Sequence, residues 1–193
     1  MVDKTVDFRS AIRYSWVITA SDYSNLRKQD FDGFDDIDTV DTDRKGMLRG
    51  LAAMKFPKET LVDMVNPSRE EVHEQVTKFR DMFLQNMKEG KSSFLFVYYG
   101  GHGCAGLGPY QSIILNEKTK AAAYQLEDRL RDFSMFNKHV AVLSIFDCSR
   151  VPNTPGITAG NHAIEKVEYD KLVGSFGSNT SFFVKYSSCS PGE

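Results

Sequence analysis

The stretch Ser92-Ser93-Phe94-Leu95-Phe96-Val97-Tyr98-Tyr99-Gly100-Gly101-His102-Gly103 constrains this chain more than any other. An apolar run of this length, halted by glycine, reads as a strand buried on both faces. The glycines let the backbone turn sharply just past the strand's carboxyl end, with no Cβ to obstruct a ligand. In open α/β sheets the crevice beyond those strand ends is where ligands sit. His102 is therefore offered at a place where chemistry is usual.

A second stretch repeats the arrangement. His139-Val140-Ala141-Val142-Leu143-Ser144-Ile145-Phe146 reads as another buried strand, delivering an elbow at Asp147-Cys148-Ser149-Arg150. A histidine at one strand tip and a thiol or hydroxyl at the next are the minimum parts of a nucleophile–base dyad. Taken alone, a histidine after a strand is more often structural than catalytic, because fold does not imply function. The pairing of the two tips is what points to chemistry.

The remaining strands and helices follow from periodicity. Tyr14–Ala20 reads as a first strand and Thr60–Val65 as a second. Between them Met47, Leu48, Leu51 and Met54 recur at helical spacing from Asp43, a carboxylate the helix dipole favours near an N-terminus, with Pro57 just beyond the end. The clearest helix starts at a capping box, Ser68 with Glu71, carries the stripe Val72, Val76, Phe79, Phe83 and Met87, and stops at Gly90. His73 lies one step off that stripe and reads as solvated. A short strand at Ser112–Leu115 and a helix over about 121–134, with Leu126, Leu130 and Phe133 facing in, separate the two central strands. Residues 151–160, with two Pro, two Gly and an Asn, read as a flexible surface loop, 161–173 as a weaker helix, and Ser181–Tyr186 as a last strand. Strands alternating with helices predict one α/β domain over 1–193, its mainly parallel sheet covered on both faces.

Totals exclude some classes of function. A formal charge of −2 and a pI near 6.1 give no global reason to expect a nucleic-acid partner. No window approaches the roughly 20 apolar residues of a membrane helix, and Met1-Val2-Asp3-Lys4 opens no apolar signal region. Cys104, Cys148 and Cys189 are odd in number and widely spaced, which offers neither a full disulfide set nor a CxxC metal knuckle. Free thiols in the cytosol, and no cofactor or bound metal, are the expectation. The acidic run from Asp30 to Asp43 tempts towards calcium. Counted from Asp30, however, Gly33 falls fourth and Asp41 twelfth, where an EF-hand needs Gly sixth and Glu twelfth. A solvated acidic loop is the simpler reading, with a calcium site of another kind left open.

Four pieces of the chain together resemble the caspase-like cysteine protease superfamily, nearer to metacaspases and paracaspases than to animal caspases. Tyr98-Tyr99-Gly100-Gly101-His102-Gly103 resembles the block that carries the general-base histidine. Ile145-Phe146-Asp147-Cys148-Ser149-Arg150 resembles the Asp-x-Cys-Arg/His block that carries the nucleophile. Asp43 followed by Met47 and Leu51 resembles the start of the family's first helix, and Phe183 to Glu193 resembles the strand leading into the substrate-binding loop. The resemblance implies a caspase-like three-layer α/β/α sandwich, with 181–193 as the start of the small-subunit-like region. In the family another strand and helix follow; here the sequence stops, which implies either a processed or trimmed fragment or a second chain completing the sheet.

The same resemblance implies a mechanism. His102 would activate the residue at 149 for attack on a peptide carbonyl, with the N–H groups of Gly103 and residue 149 stabilising the oxyanion. Asp43, Asp147 and Glu193 would make the first pocket acidic, so that cleavage follows Arg or Lys. On the residues alone, Asp43 is equally a helix N-terminal charge and Glu193 equally a free chain end. One departure matters: the nucleophile position is Ser149, with Cys148 in the variable position before it. A serine needs far stronger base assistance than a cysteine, so very little turnover is expected. An engineered Cys→Ser change, a natural pseudoprotease acting as a scaffold, and Cys148 itself as nucleophile remain the three explanations, in that order.

Overall fold

The central apolar run does form the centre of the sheet. The structure, a computed structural model, describes residues 8–29, 34–105, 111–118, 122–136, 138–150 and 183–187. In chain order these give β1 (Ile12–Thr19), α1 (Ser24–Arg27), α2 (Val40–Ala53), β2 (Leu61–Val65), α3 (Arg69–Lys88), β3 (Ser93–Ala105), β4 (Gln111–Ile114), β5 (Ala123–Tyr124), α4 (Leu126–Phe136), β6 (Val140–Arg150) and β7 (Phe183–Ser187). Five strands run parallel in the order β2-β1-β3-β6-β7, while β4 and β5 add antiparallel pairing at the far end of β3. The expectation of an α/β fold with a mainly parallel sheet between helical layers holds.

Each face is closed by the apolar side of a helix. On one, Leu51 of α2 joins Val17, Phe96 and Tyr98, with Met47 and Leu48 packed alongside; Met54, the last member of the expected stripe, is exposed instead. On the other, Val72, Val76, Phe79 and Phe83 of α3 and Leu126, Leu130 and Phe133 of α4 cover Trp16, Ile18, Leu95, Val97, Val140 and Val142. The opposite placement follows from handedness. From β1 the chain goes outward to β2, then returns past β1 to β3; two right-handed crossovers in opposite directions must use opposite faces. The strand order therefore reverses between β1 and β3, the place where open α/β sheets hold ligands at the carboxyl ends of their strands.

The capping box of α3 is complete. Ser68 Oγ accepts the Glu71 N–H at 3.2 Å, and Glu71 Oε2 accepts the Ser68 N–H at 2.7 Å. The Ser68 N–H, and the Ser68 hydroxyl donating to the same oxygen at 2.8 Å, hold the Glu71 carboxyl below its ordinary pKa. Beyond the helix Gly90 adopts φ +70°, a conformation suited to glycine. The buried stripe ends on Asn86 instead of Met87, because Asn86 Nδ2 donates to Tyr14 Oη (2.8 Å) and Ser93 Oγ (3.0 Å) and so ties the helix to two strands. No helix among the described residues is long and apolar enough to cross a membrane.

Three expectations need correction. The glycines after Tyr99 do not turn the chain: β3 continues to Ala105. Nor do residues 147–150 form an elbow, since β6 continues to Arg150. The two extensions pair with each other, Gly100 opposite Asp147 through Gly103 opposite Arg150, and β4 flanks β3 at residues 103–105. Ladder bonds unseen in either segment alone keep both extended. The helix expected from about 121 begins at Leu126, because Ala123 and Tyr124 pair with β4 first. The expected loop at 151–160, the helix at 161–173 and Glu193 lie outside the described residues.

Candidate active site

His102 lies near the carboxyl end of β3, at the point where the strand order reverses. Its side chain is buried against two aromatic rings that also touch each other, with centroids 4.6 Å from Tyr23 and 5.5 Å from Phe34. Nε2 lies 2.8 Å from the carbonyl oxygen of Asp35. A carbonyl can only accept, so Nε2 carries the proton and the neutral ring keeps Nδ1 as its basic atom. Burial pushes the imidazole below its ordinary pKa of 6.5, against the opposing pull of the Asp35 carbonyl and the charges of Asp35 and Asp36. The ring is thus biased towards the neutral form a general base needs.

The backbone of His102 is clamped by two buried tyrosines. Its N–H donates to Tyr23 Oη at 2.8 Å, and its carbonyl accepts from Tyr99 Oη at 2.7 Å. Tyr23 Oη in turn donates to the Ala20 carbonyl at 2.9 Å. Burial raises the Tyr23 hydroxyl to about 12 and the Tyr99 hydroxyl well above its usual range, so both remain protonated donors. Gly101 makes this clamp fit. It adopts φ +154°, and a Cβ there would fall 2.6 Å from Tyr99 Oη and 2.7 Å from Tyr23 Oη. Any other residue would drive the two hydroxyls apart.

Register brings the second tip alongside. His102 is paired with Ser149, and Gly103 with Arg150, on adjacent parallel strands, which lie about 4.8 Å apart. Gly103 also faces Ile113 of β4. Cys148 is buried at 2 % exposure among the residues beneath α3 and α4, with Tyr99 and Phe146. Asp147 is half-buried and accepts from Tyr98 Oη through Oδ2 at 3.1 Å; Tyr98 belongs to the α2 face. The Tyr98 hydroxyl is pushed up by burial, then by the charge of Asp147 and its hydrogen bond, then by the charge of Asp43. Asp43, exposed in the first turn of α2, therefore bears on the same hydroxyl as Asp147. Its neighbours are otherwise committed. Asp41 pairs with Lys45 at 2.5 Å, and Arg44 with Asp63 of β2, whereas Asp43 has no ion pair among the described residues.

The acidic stretch before α2 proves more than a solvated run. Phe34 is buried, and Asp36 accepts the Tyr23 N–H at 2.7 Å while taking both guanidinium nitrogens of Arg27, at 2.9 and 2.8 Å. The Arg27 contact, foremost, holds the Asp36 carboxyl below its ordinary pKa. This clip presents the Asp35 carbonyl to His102. Sequence reasoning missed Asp35, Tyr23 and Tyr99; the apolar residues inside the acidic run, Phe34 and Ile37 among them, were the available hint that the stretch folds back. Among the described residues no group of three or more His, Cys, Asp or Glu is placed to hold a metal ion. A groove of about 430 Å³, lined by Val76, Phe83, Leu84 and Phe133 with Arg129, lies between α3 and α4 and shares no residue with this site.

Compared with known proteins, the chain matches no family model, and no curated protein matches its sequence.

Proposed function

We propose that this chain is a caspase-like peptidase domain of the metacaspase and paracaspase type, built to take a peptide with Arg or Lys before the scissile bond. The observation that carries the reading is the pairing of His102 with residue 149 on adjacent strand tips, with the imidazole oriented by a backbone carbonyl. In this reading His102 Nδ1 takes the proton of the nucleophile at 149, and that residue adds to the peptide carbonyl to give an acyl-enzyme. The amides of Gly103 and residue 149 are the oxyanion donors. Asp43 and Asp147 supply the negative charge that selects a basic side chain, with Glu193 as a third member. Cys148 packs in the core and is assigned no part in the chemistry. The proposed compartment is the cytosol, in keeping with the buried thiols of Cys104 and Cys148, neither of which is in a disulfide.

With serine at 149, attack depends on a hydroxyl that a neutral imidazole activates poorly. Ser149→Cys is expected to turn near-background hydrolysis of Arg and Lys fluorogenic peptides into measurable turnover, with Asp peptides left uncut. Adding His102→Ala is then expected to lower kcat about 10²–10⁴-fold. Assays with and without calcium, in a chelator-washed sample, decide whether that ion takes part. The serine itself favours a second reading, a pseudoprotease that binds a partner through the same acidic pocket. Ser149→Cys that folds, binds basic peptides and cleaves none of them would decide for that scaffold.

A further inference from the structure

Arg27 grips the chain on both sides of Asp35. Its Nη1 donates to the Phe34 carbonyl at 3.0 Å and to Asp36 Oδ1 at 2.9 Å, while Nη2 donates to Asp36 Oδ2 at 2.8 Å. Between those two anchors lies the carbonyl that meets His102 Nε2. Arg27 is itself carried on a fixed base. Leu26 beside it is buried, the Asn25 N–H donates to Asn116 Oδ1 at 2.9 Å, and Gln29 Nε2 donates to the Asn25 and Glu117 carbonyls, each at 3.0 Å. These bonds tie α1 to the segment between β4 and β5.

Asp35 lies outside any strand or helix, and a carbonyl in such a stretch swings with the torsions on either side of its peptide plane. Fixing the Phe34 carbonyl before it and the Asp36 carboxylate after it restrains both. A guanidinium suits this task because its rigid planar fork serves two carboxylate oxygens and a carbonyl at set angles, whereas an ammonium is a point charge with no such plane. The Arg27 and Asp36 side chains are 37 % and 46 % exposed, and ion pairs so exposed add little to global stability. What this one supplies is position.

We propose that Arg27 is a positioning residue for the imidazole: by gripping Phe34 and Asp36 it aims the Asp35 carbonyl at His102 and so fixes which ring nitrogen carries the proton. Its effect on turnover rests on the peptidase reading above, but the state of the ring is read on the Ser149 chain as it stands. The measurement is nitrogen–proton NMR of the chain labelled in its four histidines, at a pH well above 6.5, with the His102 signals assigned by their loss in His102→Gln. The native chain is expected to show a slowly exchanging Nε2–H and an unprotonated Nδ1. Arg27→Met keeps the length of the side chain without its donors. It is expected to move the melting temperature by less than about 4 °C, yet to lose the slowly exchanging Nε2–H and to draw the two ring-nitrogen shifts together as the tautomers mix. Arg27→Lys, which restores the charge but not the fork, is expected to fall between the two. On a Ser149→Cys background Arg27→Met is expected to lower kcat about tenfold, with KM little changed. Should Arg27→Met fail to fold, Asp36→Asn makes the same test, since it keeps an oxygen for the Tyr23 N–H and removes the charge that holds Arg27. His102 signals that match the native chain in the folded variant overturn the role of Arg27. Altered signals support it even if Ser149→Cys cleaves nothing, a result that counts against the peptidase reading alone.

Discussion

His102 is held by groups that have no titratable role of their own. A carbonyl orients its ring, and two tyrosine hydroxyls grip its N–H and C=O. Because burial lowers the folded-state pKa below 6.5, the unfolded chain binds the proton first as pH falls. The stability held by the neutral ring is present in full above 6.5 and is lost as pH drops through the folded value. The melting temperature of the native chain is therefore expected to fall more steeply as pH drops below 6.5 than that of His102→Gln, compared on matched thermal scans. Gly101 carries a different constraint. Gly101→Ala places a methyl against both clamping hydroxyls at a φ that L-residues avoid. It is expected to cost about 1–3 kcal/mol in urea titration and to displace the imidazole, abolishing any activity gained through Ser149→Cys. The histidine and the nucleophile position are legible in the sequence as motifs. The clamp is not, because Tyr23 lies 79 positions from its partner and nothing local marks its hydroxyl as spoken for.

Among the elements, α3 was legible at both ends, whereas the start of α4 was not. A capping box, a five-membered stripe and a terminal glycine are local signals, and each governs an end or a face of one helix. The start of α4 depends instead on two residues choosing a strand partner. Glu127, in the first turn of α4, is 1 % exposed and binds Arg131 at 3.1 Å and Lys185 of β7 at 2.7 Å, the lysine side chain being 8 % exposed. This buried pair joins a helix to the strand beside β6. Removing one partner strands the other's charge, so Lys185→Met is expected to lower stability by about 3 kcal/mol, a low-end figure because Arg131 still neutralises the carboxylate. Glu127→Gln in the same chain is expected to recover part of that loss, and denaturant titration of the single and double variants measures the difference.

At the scale of the whole molecule, position follows from strand order. The strand order reverses between β1 and β3, Tyr23 and Asp36 after β1 are tied together beside the histidine, and β6 lies on the other side of β3 with residue 149 level with it. The groove between α3 and α4 gathers no paired base and nucleophile among its lining residues. By itself the sequence determined the alternation of strand and helix, the apolar faces, and the two polar tips that end the central strands. Hydrophobic period and capping act over a few residues, and they are written locally. Tertiary structure alone decided that the tips run on as paired strands, that an acidic run folds back to orient the base, and that Tyr98 reaches Asp147. Those outcomes depend on hydrogen bonds and close approaches between segments far apart in the chain, and no local pattern encodes a partner that only folding brings near.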